Sequence, residues 1–199
     1  MSVAAVILAA GAGTRLGGAA KALLPGAGGR ALLDHVVATA RGAGVTEIAC
    51  VVGPPFENEV TEAAERLTVD VVHNPDPARG MASSVALGFA HAGERFASGS
   101  ALLWPVDHAA VRIDTVRAVI ERARAGASDV VVPVFGGRGG HPTLFRAALW
   151  AELAACVDRP DGARGVVCAD PSRVLRFDVD DPGATRDVDV PGDLERERG

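Results

Sequence analysis

Lysine is nearly missing from this 199-residue chain. Lys21 is the only one, and the other 19 of its 20 basic residues are arginines. A compact ammonium and a flat guanidinium are not interchangeable around a phosphate, so a lysine kept at one position marks that position for function. Cysteine is also scarce. Cys50, Cys156 and Cys168 are odd in number, widely spaced and outside any CxxC pair. That sets aside a disulfide framework and implies free thiols in a reducing cytoplasm. No apolar run approaches the ~20 residues of a membrane span, so no membrane association is expected. A basic segment and a secretory cleavage site are wanting at the N-terminus, so export is not expected either. There is no positive excess: 20 basic against 25 acidic residues leave a net charge of −5, which argues against nucleic acid as a partner. The five histidines show no zinc spacing.

What the chain does have is apolar substance and a repeating order. At 48% hydrophobic and 23% charged residues it has the make-up of a folded α/β domain with a sizeable core, spanning 1–199. The organising stretch is its start. Val3 to Ala10 is a short continuous apolar run, the mark of a strand buried on both faces of a parallel sheet. It ends in a glycine-rich loop, Gly11-Ala12-Gly13-Thr14-Arg15-Leu16-Gly17-Gly18-Ala19-Ala20-Lys21. Glycines let backbone N–H groups converge on an anion, and Arg15 and Lys21 add full charges, so the loop reads as a grip on a nucleoside triphosphate.

Beyond the loop, strands and helices alternate. Leu32 to Ala40 carries one helical stripe, Ile48–Val52 a second strand, Glu57–Leu67 an exposed helix and Val69–Val72 a third strand. Met81 to Phe89 spaces a helix ending near Gly93, and Ala101–Val106 is a fourth strand. Ile113 to Ala123 predicts a helix with Asp114 as N-cap. Val130–Phe135 predicts a strand at an edge or bulge because of Pro133, and Leu144–Leu153 predicts a helix. Asp161 to Gly165 reads as a short helix or turn, and Val174–Val179 alternates like a half-buried strand. This order predicts a three-layer, Rossmann-like, mostly parallel sheet with ligands at the carboxyl ends of its strands. Two familiar phosphate loops do not fit. Lys21 lacks the Gly before it and the Ser or Thr after it that a Walker loop needs. The dinucleotide fingerprint fails because its third glycine is one place late and the second strand ends at Gly53-Pro54 without an acid.

The residues instead resemble the nucleotidyltransferase superfamily, through Leu8-Ala9-Ala10-Gly11-Ala12-Gly13-Thr14-Arg15 and the following Lys21. The closer resemblance is to MobA-like enzymes, above all molybdenum-cofactor cytidylyltransferases. It runs through Asn74-Pro75, Gly80-Met81-Ala82-Ser83-Ser84, Pro105-Val106-Asp107-His108, Gly137-Arg138-Gly139-Gly140-His141-Pro142, Asp161-Gly162-Ala163-Arg164 and Asp187-Val188-Asp189-Val190-Pro191. The resemblance implies a fold of the nucleotide-diphospho-sugar transferase type, with an NTP-binding half of about 1–110 and an acceptor-binding half of about 111–199. It also implies transfer of a nucleoside monophosphate to a phosphorylated acceptor with loss of pyrophosphate. The Leu-Ala-Ala-Gly opening points to CTP, and the family to molybdopterin as acceptor and a molybdoenzyme as recipient. One departure is Ala109, where the family usually has proline, which leaves room for another acceptor.

Roles follow from the resemblance. Leu8, Ala9, Ala10, Gly11, Gly13 and Thr14 cradle the nucleotide. Arg15 holds the β- and γ-phosphates. Lys21 meets the α-phosphate. Asp107 is the first ligand of Mg²⁺, with Mn²⁺ as a substitute, and Asp189 is the second, with Asp187 in reserve. Asn74 touches the ribose or base, or else only turns the chain before Pro75. Gly80, Ser83 and Ser84 hold the acceptor's phosphate at a helix N-terminus, or the serines simply cap it. His141 contacts the acceptor or is structural. Two other functions stay open: a sugar- or polyol-phosphate nucleotidyltransferase, and a cofactor chaperone that binds without turnover.

Overall fold

A computed structural model of the chain describes residues 2–11, 19–159 and 161–188. Four parallel strands make one half of its sheet: β1 (Ala4–Leu8), β2 (Ile48–Val52), β3 (Asp70–His73) and β4 (Ser100–Pro105). β1 lies between β2 and β4, and all five of its residues are buried. Its alternating side chains enter two different cores. Ala5 and Ile7 pack with α1 (Leu32–Gly42), α2 (Glu57–Arg66) and α4 (Ile113–Ala125). Ala4, Val6 and Leu8 pack with α3 (Met81–Arg95), α5 (Trp150–Ala154) and α6 (Gly162–Ala169) on the opposite face. The two-residue period of a strand is what turns a continuous apolar run into two cores. The result is the expected three-layer α/β/α sandwich with a mostly parallel sheet.

The sheet continues beyond β4 through β7 (Thr143–Arg146), then β5 (Val130–Phe135), which pairs on its other side with β8 (Val174–Asp178). β7 is antiparallel to both its neighbours. This corrects the helix expected over Leu144–Leu153. Leu144 and Phe145 are both fully buried but belong to opposite cores, a demand that consecutive residues meet in a strand and not on one face of a helix. A 3₁₀ turn follows at Ala147–Leu149, and α-helix begins only at Trp150.

Pro133 is not on an edge strand but at an irregular break in the pairing, where 132–133 face 140–143. It falls between the β5–β7 pairing at Val130 and Val131 and the pairing of Val134 and Phe135 with β6 (Arg138–Gly139). A missing backbone donor costs least at such a break. The glycines at 136 and 137 form the two-residue hairpin turn into β6, at φ 57° and 76°, the positive values that such a turn demands.

Two helix ends also differ from expectation. α3 runs past Gly93 to Arg95. α4 begins after Arg112, and Asp114 makes no cap. Asp181 does that work from a distance: its Oδ2 accepts the Arg112 N–H at 2.9 Å and the Thr115 hydroxyl at 2.6 Å. α3 meets the sheet through Gly88, where an added Cβ would lie 2.3 Å from Val6 Cγ1 and 3.0 Å from Val51 Cγ2. Among the described residues no helix is long and apolar enough to cross a membrane.

Candidate functional site

The parallel pairing brings the carboxyl ends of β1 and β4 level, with Leu8 opposite Pro105. Leu8, Ala9 and Ala10 are buried and Gly11 is exposed, with open space where a side chain would project. The Ala9 N–H donates to the Val51 carbonyl at 2.8 Å, and the Leu8 carbonyl accepts from Val106 at 3.1 Å. Backbone on both sides therefore fixes where the loop leaves the sheet. Gly13, Thr14 and Arg15 lie outside the described residues.

The chain returns in a 3₁₀ turn at Lys21–Leu23. There the Lys21 ammonium donates to Asp107 Oδ2 at 2.9 Å. The two residues are 86 positions apart in sequence, yet they meet at the mouth of the β1–β4 pair. Their side chains are 17% and 22% exposed, so the pair is sheltered but reachable. The backbone around Asp107 is held by its neighbours. The His108 N–H donates to the Pro105 carbonyl at 3.1 Å, Trp104 Nε1 donates to the His108 carbonyl at 3.0 Å, and the Val188 N–H donates to the Asp107 carbonyl at 2.9 Å. The last bond docks the segment holding the exposed Asp187 against the site. Asp189 lies outside the described residues.

The second carboxylate oxygen of Asp107, Oδ1, is buried and has no hydrogen-bond partner. A buried oxygen of this kind costs free energy unless a cation or donor meets it. Among the described residues no group of three or more His, Cys, Asp or Glu is placed to hold a metal. Mg²⁺ takes one or two carboxylates and fills its remaining positions from phosphate and water. Asp107 thus has the right donor for such an ion, and one oxygen to spare.

Next to Asp107, the rings of His108 and His141 lie against each other, tilted by 57° with centroids 4.7 Å apart. Burial pushes His141 down to about 4, with the neighbouring His108 adding to the effect, and burial also lowers His108. Both imidazoles are neutral at pH 7. His141 Nδ1 lies 3.4 Å from the Leu103 carbonyl, an acceptor, so Nδ1 carries the proton and Nε2 is left as an acceptor. His141 lines a cleft of about 890 Å³, as does Gly80, whose φ of 93° sets the start of α3.

Asn74, Ser83 and Ser84 are hydrogen-bonded to one another. They are 1%, 4% and 5% exposed, and Asn74 Nδ2 donates to both serine hydroxyls at 2.9 Å. Asn74 Oδ1 accepts the Asp76 N–H at 3.0 Å, and Ser83 Oγ donates to the Gly80 carbonyl at 2.8 Å. These bonds lock the end of β3 to the first turn of α3. Neither serine caps the helix, and neither lines the cleft.

Sequence reasoning passed over three arginines of the cleft, Arg79, Arg159 and Arg176. No local pattern distinguishes them. Arg138 and Arg164, in contrast, stand inside motifs already singled out. It also passed over the ring contact of His108, for which adjacency to Asp107 was the one signal.

Against this geometry stand the relatives. A nicotine blue oxidoreductase from Paenarthrobacter nicotinovorans is 32% identical over 193 residues, covering 94% of this chain and 92% of that one. Rv0371c of Mycobacterium tuberculosis H37Rv is 27% identical with a TM-score of 0.74, covering 98% of this chain and 96% of that one. It has also been crystallised with manganese. A nucleotidyl transferase of Methanothermobacter thermautotroptrophicus shares the fold, with a TM-score of 0.77 at 24% identity, over 99% and 96% of the two chains. The MobA-like NTP transferase domain matches residues 5–174, and with the sheet, the Lys21–Asp107 pair and the cleft beside it, this makes the chain a member of the MobA-like NTP transferase family.

Proposed function

We propose that this protein moves a nucleoside monophosphate, CMP from CTP, onto a phosphorylated acceptor and releases pyrophosphate. The observation that carries this reading is the 2.9 Å contact between Lys21 and Asp107 at the carboxyl ends of β1 and β4. A triphosphate seated over β1 needs a cation at its α-phosphate and a carboxylate for its metal, and this contact supplies both within one nucleotide's length. In-line transfer between two anions asks the protein for position and charge neutralisation more than for covalent chemistry. Leu8, Ala9, Ala10, Gly11, Gly13 and Thr14 seat the phosphates, and Arg15 neutralises the departing pyrophosphate. Lys21 leaves Asp107 for the α-phosphate when nucleotide enters. Asp107, with Asp189 or Asp187, holds a divalent ion, Mg²⁺ or Mn²⁺, which supplies charge to the phosphates when bound. Manganese bound to Rv0371c supports that assignment. His141, with Nε2 open as an acceptor, and Gly80 face the acceptor. The NTP-binding half is about 1–110 and the acceptor half about 111–199.

Molybdopterin is the first acceptor to test, since the motifs from Asp107 to Asp189, Ala109 apart, resemble those of the molybdenum-cofactor branch. A sugar or polyol phosphate is the alternative, and a non-catalytic chaperone the other. Cys50, Cys156 and Cys168 are all unpaired, which fits a reducing compartment, the cytoplasm. Pyrophosphate release from CTP and Mg²⁺ with molybdopterin, but not with sugar phosphates, is the expected result. Binding of CTP with no pyrophosphate from any acceptor would turn the reading to the chaperone.

A second reading has one observation in its favour, the 32% identity to a protein named an oxidoreductase. Hydride transfer has no use for the spare oxygen of Asp107. Consumption of NADH or NADPH with a dye acceptor, together with no CTP-dependent rise in melting temperature, would favour it.

A further inference from the structure

The cleft beside His141 carries more positive charge than the chain it belongs to. Five arginines line it (Arg79, Arg138, Arg159, Arg164 and Arg176) against a single acid, Asp161, whereas the whole chain has a net charge of −5. Its floor is apolar, made of Leu103, Val132 and Phe145 from β4, β5 and β7. At about 890 Å³ it sits near the upper end of the usual ~300–1,000 Å³ for small-molecule pockets.

The arginines come from different walls. Arg79 precedes α3, Arg164 is on α6, Arg138 is on β6 and Arg176 is on β8. Arg176 has a path built for it. An added Cβ on Gly139 would lie 2.9 Å from Arg176 Nη1 and 3.2 Å from Val132 Cγ1. Glycine at 139 leaves the room that the Arg176 guanidinium occupies, and both Arg176 and Arg138 line the cleft. A single phosphate has too few oxygens and too small a body to meet guanidinium forks arriving from walls this far apart in the fold. It would also leave the apolar floor wet.

Resting on the transfer reaction above, we infer that the acceptor has an apolar, ring-sized body and at least two separate anionic groups. One is the phosphate that takes the nucleotide. Another is held by Arg138 and Arg176, which set specificity without touching the nucleotide.

The probe is pyrene-1,3,6-trisulfonate bearing an 8-hydroxyl group, compared with pyrene-1-sulfonate, both titrated by fluorescence anisotropy with CTP and Mg²⁺ present. The trisulfonate is expected to bind at least about tenfold more tightly, the scale of one added charge-assisted contact. Arg138→Gln and Arg176→Gln each remove most of that preference and leave the monosulfonate nearly unchanged. Gly139→Ala acts in the same direction, because it displaces Arg176. Circular dichroism verifies that each variant folds, and Arg138, exposed on a two-residue strand, is the safer of the two to change. Equal affinity for the two probes, or Arg variants that keep the wild-type preference, would overturn the inference. The rise in melting temperature with CTP and Mg²⁺ separates the two claims. If it is absent while the preference stands, the transfer reaction fails; if it persists while the preference is missing, only this inference fails.

Discussion

Lys21 sits on one oxygen of the carboxylate whose other oxygen, Oδ1, is left for a metal. Its ammonium is 2.9 Å from Asp107 Oδ2, so an entering divalent ion meets a charge already in place. Lys21→Ala is therefore expected to do two opposite things. Without nucleotide, Mn²⁺ binds more tightly, as read by the loss of free-ion signal in electron paramagnetic resonance. With nucleotide and acceptor, turnover falls by about a hundredfold or more, the scale on which a preorganised electrostatic group acts in a transition state. Asp107→Asn is expected to raise the metal concentration needed for activity while the melting temperature stays near wild type. A large drop in melting temperature with normal metal dependence would make Asp107 a structural residue instead. At the same scale, His141 titrates at about 4 in the folded protein against 6.5 when exposed. The unfolded chain therefore binds this proton first, and stability falls as pH drops from about 6.5 towards 4. Urea unfolding at pH 7.0, 5.5 and 4.5 measures the slope, and His141→Gln should flatten it.

At the scale of elements, α3 is the helix that ties the site to the sheet. Its first turn is locked to β3 through Asn74, Ser83 and Ser84, and its middle lies against β1 and β2 at Gly88. A methyl group at position 88 would have to displace Val6 in the centre of the sheet. Gly88→Ala is expected to cost about 1–3 kcal/mol, the usual range for overpacking, and calorimetry should find a melting temperature lower by several degrees. Asp181 makes the comparable tie for α4. Its carboxylate accepts from the Arg112 and Gly183 N–H groups and from the Thr115 hydroxyl, so Asp181→Ala strands three donors at once. A loss of about 2 kcal/mol is expected, at the top of the range for a helix cap. The elements were legible in the sequence where apolar period and burial agree, as in β1, β2 and α1. They were not at β7, where only four residues are extended before the chain runs straight into helical turns. Leu144-Phe145 looked helical because nothing local says that one side chain must go up and the next down. Asp114 looked like a cap because it stands in the right place, whereas the residue that does the capping arrives from position 181.

At the scale of the whole molecule, one sheet runs through both halves of the chain, and β4 is its hinge between parallel and mixed pairing. The chain's own residues determined the nucleotide end of the candidate site. An apolar run, glycines, one lysine and an aspartate after a strand are local patterns, and in a parallel sheet every strand's carboxyl end lies on the same side. The tertiary structure alone gathered the arginines of the cleft. Five arginines from four walls carry no periodicity and no shared motif, and only folding brings them around one apolar floor. The physical reason is range: backbone preference and burial act within a few residues, while charge gathered across a cleft depends on which elements happen to face each other.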